Sequence, residues 1–173
     1  MLVAATLFAS QQAMADVAVN STNFPDGVFR QYVLDNIDVD GNKKLSNAEI
    51  ASITEINLSG LGVTNLKGIE YFKNSLTKLH LSNNPSLSAF SLSGFTSLTF
   101  LDLSYCTSWG TTLDMSGFNL PSFEIYIYGS SITKYVQNGG CLFNGSTNGF
   151  GAIKTVELSN LTPKTRNDIF GTL

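Results

Sequence analysis

The chain has 173 residues, a formal net charge of −3 and 13% charged side chains, while hydrophobic residues make up 43% of it. That hydrophobic share can fill a core, so the composition excludes global disorder, and the length suits one domain with a small appendage. A slight acidic excess with few charges is not typical of a nucleic-acid binder, which needs a basic face. No apolar run reaches the roughly 18–20 residues of a transmembrane helix, so neither nucleic acid nor a membrane span is expected.

Residues 1–15 have the pattern of a secretory signal peptide. The apolar run Leu2–Ala9 precedes a small-x-small cleavage pattern at Ala13–Ala15. No Lys or Arg precedes the run, and a buried N-terminal helix therefore stays open as the alternative. Export predicts a secreted, periplasmic or cell-surface protein, a setting that permits a disulfide between Cys106 and Cys141.

Residues 16–52 are predicted to form a helical cap that is built like an EF-hand. Asn23, Pro25 and Asp26 favour a helix start, and apolar residues then recur at helical spacing up to Ile37. Next, oxygen-bearing groups alternate along a twelve-residue loop in the pattern of a calcium site. The predicted ligands are Asp38, Asp40, Asn42, the carbonyl of Lys44, Ser46 and Glu49.

The sixth position of this loop carries Lys43, where a calcium loop has glycine. The chain takes a positive φ there, which costs an L-residue roughly 1–2 kcal/mol. Two interpretations stay open: a calcium site, or a loop that hydrogen bonds hold in shape without metal. In both cases the segment is predicted to cover the apolar end of a repeat array.

Residues 53–173 carry an internal repeat with the leucine-rich pattern L-x-x-L-x-L-x-x-N/C. The copies begin at Ile53, Leu76, Leu98, Leu120 and Ile153. The copies at Leu76 and Leu98 are complete, and the other three are degenerate. The first three steps are 23, 22 and 22 residues and the last is 33, which predicts about five repeats with an insertion near 137–151.

The central stretch of each repeat alternates apolar and polar residues, which predicts a half-buried strand that pairs in parallel with the next one. Asn84 and Cys106 end the two complete repeats and are predicted to turn inward and satisfy backbone groups. Cys106 is therefore expected to be structural rather than reactive, while the state of Cys141 stays open. A helix over Thr162–Phe170 is predicted near the end of the chain.

The predicted fold class is α/β: a leucine-rich-repeat solenoid with a parallel β-sheet on its concave face, a thin convex side and the helical cap. The repeats resemble those of bacterial surface leucine-rich-repeat proteins, internalin-like in repeat length and in export. An N-terminal helical cap precedes the repeats in those proteins, with an EF-hand-like form as a variant. The phrase from Asn23 to Arg30, and the later Leu-Ser-x-x-Glu-Ile from Leu45, strengthen the resemblance.

Parallel stacking is expected to align equivalent positions in columns on the sheet. The predicted columns place Asp102 beside Glu124, Glu124 beside Glu157, and Ser104 beside Tyr126. The predicted binding residues are His80, Phe100, Asp102, Tyr105, Glu124 and Tyr126. Aromatic side chains are favoured anchors in recognition surfaces, although an ordinary solvated sheet is the alternative for each single residue.

These patterns predict a binding module that recognises a protein or a glycan through the concave face. The alternative is a structural module whose cap is stabilised by calcium. Catalysis is not expected, because the chain has one His and no phosphate-binding loop or dinucleotide fingerprint.

Overall fold

The computed structural model describes residues 16–116, 124–138 and 155–159. Several sequence predictions fall outside these ranges: the signal peptide over 1–15, most of the insertion near 137–151, Cys141, and the helix over Thr162–Phe170. Within the described ranges the chain forms a solenoid of parallel strands, with about three turns and few helices.

The segment before the solenoid contains two short strands and two helices. They are β1 (Val17–Ala18), α1 (Gly27–Asn36), β2 (Lys44–Leu45) and α2 (Asn47–Ser52). The solenoid contains seven described strands and one 3₁₀ helix. They are β3 (Glu55–Asn57), the 3₁₀ helix (Ile69–Phe72), β4 (Lys78–His80), β5 (Phe100–Asp102), β6 (Thr112–Asp114), β7 (Glu124–Tyr126), β8 (Lys134–Asn138) and β9 (Thr155–Ser159). None of the helices in the described ranges is both long and apolar enough to cross a bilayer.

Strands β3, β4, β5 and β7 pair in that order to form a four-stranded parallel sheet. The paired central residues Ile56, Leu79, Leu101 and Ile125 are 23, 22 and 24 residues apart. The predicted register is therefore right for the first three strands and wrong by two residues at the fourth. Three apolar residues alternate with outward-facing residues over 123–127. Two pairing registers therefore fit the alternation, because a shift of two residues leaves every side chain on the same face of the sheet.

A second parallel sheet, in the order β6-β8-β9, was not predicted from the sequence. Thr112 pairs with Lys134, and Lys134 pairs with Thr155, so this series has nearly the same step as the first. The placement of Glu157 beside Glu124 is therefore wrong, because Glu157 pairs with Val136 in the second sheet. The leucine-rich pattern did not reveal this series because two of its three apolar positions are altered around β6 (Gly110 and Met115) and around β8 (Tyr135 and Gln137).

Buried side chains of every described coil fill the core. The middle residue of each strand and the apolar residue just after each strand of the first sheet are buried: Ile56, Leu58, Leu79, Leu81, Leu101, Leu103, Ile125 and Ile127. Asn84 is fully buried at the turn. Its Oδ1 accepts from Gly62 N and Val63 N, at 2.8 and 3.1 Å, and its Nδ2 donates to Leu58 O and Leu81 O, at 3.0 and 2.8 Å. The predicted inward role of this residue is thereby confirmed.

The buried carboxylate of Asp26 forms one of the links between the N-terminal segment and the solenoid. Asp26, rather than Asn23, is the N-cap of α1, and its Oδ1 accepts from Val28 N and Phe29 N, both at 2.9 Å. Its Oδ2 accepts from the Thr64 backbone and hydroxyl, both at 2.8 Å, and from Asn65 N at 3.3 Å. Asn23 instead donates to the carbonyl of Ala18 at 2.8 Å.

Candidate functional site

The first parallel sheet presents one open surface, called the sheet face below. Its strands bury their middle residue and leave the two flanking residues exposed or half-buried, as alternation along a strand requires. The residues of the sheet face are Glu55, Asn57, Lys78, His80, Phe100, Asp102, Glu124 and Tyr126. Five of the six predicted binding residues thus share one surface; the sixth, Tyr105, follows β5 in the next turn.

Three rings form a continuous row across the sheet face, called the ring row below. The centroids of His80 and Phe100 are 4.5 Å apart, and those of Phe100 and Tyr126 are 5.4 Å apart. The two ring pairs are tilted by 35° and 39°. In register, Tyr126 lies beside Asp102 and Phe100 lies beside Glu124, so the rings touch across diagonal positions of neighbouring strands.

Carboxylates surround the ring row, and they differ in how they are paired. Glu55 Oε1 lies 3.2 Å from His80 Nε2, which is an ion-pair distance, although this nitrogen has no hydrogen-bond partner among the described residues. Asp102 Oδ1 accepts from Ser104 N at 2.9 Å. Within the described part of the chain, the half-buried Glu124 carboxylate forms no hydrogen bond or ion pair.

Tyr105 and Tyr128 form an exposed aromatic pair in the turns that follow β5 and β7. They are 46% and 55% exposed, and their centroids are 5.4 Å apart in an edge-to-face arrangement. Tyr105 has a φ of 60°, at a turn position that Gly60, Asn83 and Gly129 occupy in the other coils. Sequence reasoning missed Tyr128, because the register error placed it at the wrong position of its repeat.

Cys106 is fully buried, as predicted, and its Sγ lies 3.1 Å from the carbonyl of Leu81. Burial raises the pKa of this thiol to about 11. A hydrogen bond with the Asn84 backbone lowers the pKa by a smaller amount and does not offset burial. The thiolate is the reactive form of cysteine. The raised pKa therefore keeps the Cys106 thiol protonated and unreactive at neutral pH.

The loop between α1 and β2, together with the first turn of α2, brings three of the predicted metal ligands together. One carboxylate oxygen from each of Asp38, Asp40 and Glu49 lies within 4.8 Å of the others. We call this group the acidic cluster. Asn42 lies next to it and donates from Nδ2 to Asp40 Oδ2 at 2.6 Å. Carboxylate oxygens at these spacings are able to hold a hard metal ion, whereas the Asn42 side-chain oxygen accepts from Lys44 N at 2.7 Å.

The backbone of the loop is also arranged as predicted. Lys43 has a φ of 62°, so the left-handed conformation expected at the sixth position is present without glycine. Lys43 N donates to Asp38 Oδ2 at 2.9 Å. The other oxygen, Asp38 Oδ1, is buried and has no hydrogen-bond partner, while the whole residue is 6% exposed. A cation held by the acidic cluster would satisfy this oxygen.

The remaining predicted ligands have other contacts in this structure. Ser46 is the N-cap of α2 and forms a capping box with Glu49: its hydroxyl and its backbone N–H both donate to Glu49 Oε2 at 2.8 Å. Glu49 Oε1 accepts from Val39 N at 2.9 Å. The backbone hydrogen bond from Ser46 is the main cause that lowers the pKa of Glu49; burial opposes it, and the Ser46 hydroxyl and the Val39 backbone add to it. Lys44 lies in β2 and pairs with Ala18.

A scan against protein-family models finds no match for this chain, and a search of curated proteins finds no similar sequence. The two sites therefore have to be interpreted from their own geometry.

Proposed function

We propose that this chain is an exported, non-catalytic binding module that recognises a protein or glycan partner through the sheet face. The observation that carries the proposal is the ring row of His80, Phe100 and Tyr126, which is half-buried and open to the outside of the sheet. Extended surfaces of this kind are what solenoids use for recognition. Aromatic rings held by their neighbours lose little conformational freedom on binding.

The proposal includes the type of solenoid. Repeated L-x-x-L-x-L-x-x-N/C patterns, together with a buried Asn84 that bonds the backbone of two coils, support a leucine-rich-repeat solenoid of the internalin-like kind. The helix–loop–helix segment before it supports an EF-hand-like cap. The export pattern at the N-terminus supports a location outside the cytoplasm.

The test of binding uses a random-peptide display library and a glycan array, each probed with the full chain. We expect ligands selected by the unmodified chain to lose binding to the triple variant Phe100→Ala, Tyr105→Ala, Tyr126→Ala. The matched control is Val28→Ala with Leu61→Ala, which removes exposed apolar side chains outside the sheet face and should leave binding intact. Equal binding by all three proteins would show that the sheet face is not the recognition surface.

A second candidate function is a calcium-stabilised structural module. The specific observation in its favour is Asp38 Oδ1, a buried oxygen without a partner that belongs to the acidic cluster. Mutual repulsion of three carboxylates opposes closure of the loop, and a divalent cation would reverse that effect. Outside cells, weak sites with dissociation constants of about 10⁻⁴–10⁻³ M are filled.

Thermal melting with about 5 mM calcium or with chelator tests this candidate. Because a ligand that binds only the folded state stabilises it, we expect the melting temperature to rise by roughly 2–8 °C in calcium. Glu49→Gln should abolish the shift, whereas Glu55→Gln, which lies outside the loop, should retain it. An unmodified chain that melts identically in calcium and in chelator would rule the candidate out.

A further inference from the structure

We propose that the sheet face binds an arginine side chain of an extended polypeptide partner, with the guanidinium stacked on the ring row and paired with Glu124. The inference rests on the proposed function, since it needs the sheet face to be the recognition surface. It adds the chemical class of the partner, which the proposed function leaves as protein or glycan.

The first argument is the charge of the sheet face. Its charged residues are three carboxylates, on Glu55, Asp102 and Glu124, against one lysine, Lys78. Glu55 lies beside His80 and Asp102 accepts a backbone hydrogen bond. Among the described residues, neither a hydrogen bond nor an ion pair compensates Glu124. A half-buried carboxylate gains most from a charged donor that reaches it from outside.

The second argument is the position of Glu124 next to an aromatic ring. Glu124 lies directly beside Phe100 in the strand register, and Phe100 is in contact with both other members of the ring row. His80 and Tyr126 lie against the two sides of the Phe100 ring, so a cation is better placed over Tyr126, the ring on the outer strand β7, within the roughly 6 Å range of cation–π attraction. Glu124 and Tyr126 are two residues apart on β7 and therefore share its open face. The same cation would reach the neighbouring carboxylate, so that one group satisfies both partners.

The third argument selects arginine over lysine. A guanidinium is planar, stacks on aromatic faces and offers a fork of N–H donors that matches a carboxylate. An ammonium is more strongly hydrated and forms no comparable stack. A neutral glycan would stack on the rings but would bring no charge to Glu124. An acidic peptide would be repelled by the three carboxylates.

The extent of the surface favours a polypeptide as the source of the arginine. The four strands of the sheet face are separated by three spacings of about 4.8 Å each, so that the surface is about 14 Å wide. That width exceeds one arginine side chain and equals about four residues of an extended chain. A peptide segment would therefore cover Lys78 and Glu55 as well as the Phe100–Glu124 pair.

Nuclear magnetic resonance titration of the ¹⁵N-labelled full chain provides the test. The probes are a hexapeptide that alternates glycine with arginine, the same peptide with citrulline in place of arginine, and free arginine. Citrulline keeps the shape of arginine but carries no charge. We expect the arginine peptide to shift amide signals of β4, β5 and β7, with at least tenfold weaker binding of the citrulline peptide and of free arginine.

Two variants and a control locate the interaction. Glu124→Gln should weaken binding of the arginine peptide at least tenfold, and Phe100→Leu at least fivefold. Because Glu124 forms no hydrogen bond or ion pair with the described residues, its replacement by Gln breaks no contact within them. The amide spectrum reports directly whether each variant is folded. Glu70→Gln, on the 3₁₀ helix outside the sheet face, should bind as the unmodified chain does.

The outcomes separate this inference from the proposed function. If the arginine peptide causes no shifts up to about 5 mM, if citrulline binds equally well, or if Glu124→Gln binds unchanged, the arginine inference is wrong. The proposed function still stands in that case, provided that array or library ligands require Phe100, Tyr105 and Tyr126. If those ligands do not require the three aromatic residues, both proposals are wrong.

Discussion

Tyr105 adopts a left-handed backbone conformation, with φ at 60°, which an aromatic residue rarely tolerates. The equivalent turns have Gly60, Asn83 and Gly129, all with positive φ. The left-handed conformation is therefore required by the turn in each coil and is not caused by the Tyr105 side chain. The ring covers Gly129: a Cβ added there would lie 2.6 Å from Tyr105 Cδ1. Strained residues concentrate at functional sites, and Tyr105 is also one of the exposed rings proposed for binding.

The close approach of Tyr105 to Gly129 leads to a prediction at the residue scale. Gly129→Ala should destabilise the unmodified chain through both the left-handed conformation and contact with the ring. In the Tyr105→Asn background the ring contact is gone, and only the backbone cost of roughly 1–2 kcal/mol should remain. We expect a coupling free energy of about 1 kcal/mol.

Urea unfolding of the four proteins in this double-mutant cycle measures the coupling. Gly60→Ala serves as the control, because a Cβ there meets no atom within 4 Å, and its cost should be the same with Tyr105 or Asn. Additive free energies of unfolding for Gly129→Ala and Tyr105→Asn would contradict the packing described here.

At the scale of elements, Asp26 joins α1 to the loop that follows β3 by accepting five hydrogen bonds. Burial pushes the pKa of this carboxyl upward, but the hydrogen bonds from Phe29, Thr64 and Asn65 outweigh burial and lower the pKa below its ordinary value of 3.8. The charged form is therefore the stabilising form. The same side chain therefore contributes both to the helix cap and to the junction between the two parts of the chain.

The lowered pKa predicts how the junction responds to acid. A carboxyl group with a depressed pKa in the folded state stabilises the fold above its unfolded pKa, and that contribution is lost as the pH falls through the folded pKa. Asp26→Ala should cost roughly 2–4 kcal/mol at neutral pH. The free energy of unfolding of the unmodified chain should fall below about pH 4, as Asp26 becomes protonated. In the variant this fall should be smaller, because the carboxyl group is absent.

Urea unfolding at a series of pH values from neutral to acidic measures both effects. Thr64→Val removes only the hydroxyl donor, and should therefore cost less than Asp26→Ala while retaining the decline in acid. If Asp26→Ala followed the same pH profile as the unmodified chain, with a constant offset, the ionised carboxylate would not be the stabilising group.

At the scale of the whole molecule, stacked coils give a structure in which each coil contacts mainly its neighbours. Ile56 and Ile125 occupy the two outer strands of the first sheet, whereas Leu79 and Leu101 are paired directly. The outer residues are about 14 Å apart, from three strand spacings of about 4.8 Å. Energetic coupling should therefore decline along the solenoid.

Paired core substitutions test this decline. We expect Ile56→Val and Ile125→Val to be additive within about 0.5 kcal/mol, at about 1 kcal/mol each. Leu79→Val with Leu101→Val should deviate from additivity by a larger amount, because the two side chains share neighbours. Equal coupling in both pairs, measured by urea unfolding, would be inconsistent with a solenoid whose coils interact only locally.

Much of the architecture could be predicted from local patterns. The step between Ile56, Leu79 and Leu101, the inward role of Asn84 and the left-handed residue at Lys43 all follow from side-chain alternation or from turn chemistry. Asn23, Pro25 and Asp26 together indicate a helix start, but the pattern does not decide which residue caps α1, because Asn and Asp both serve as N-caps. The structure decides for Asp26, whose Oδ1 accepts from Val28 N and Phe29 N.

By itself, the sequence determined the parallel repeat, its core residues and the acidic loop, because each depends on spacings within about twenty-five residues. The tertiary structure alone decided the register of β7, the second sheet and the pairing of Phe100 with Glu124. The physical reason is that alternation along a strand repeats every two residues. A sequence therefore shows which side chains point outward, while packing across the coils decides which of them become neighbours.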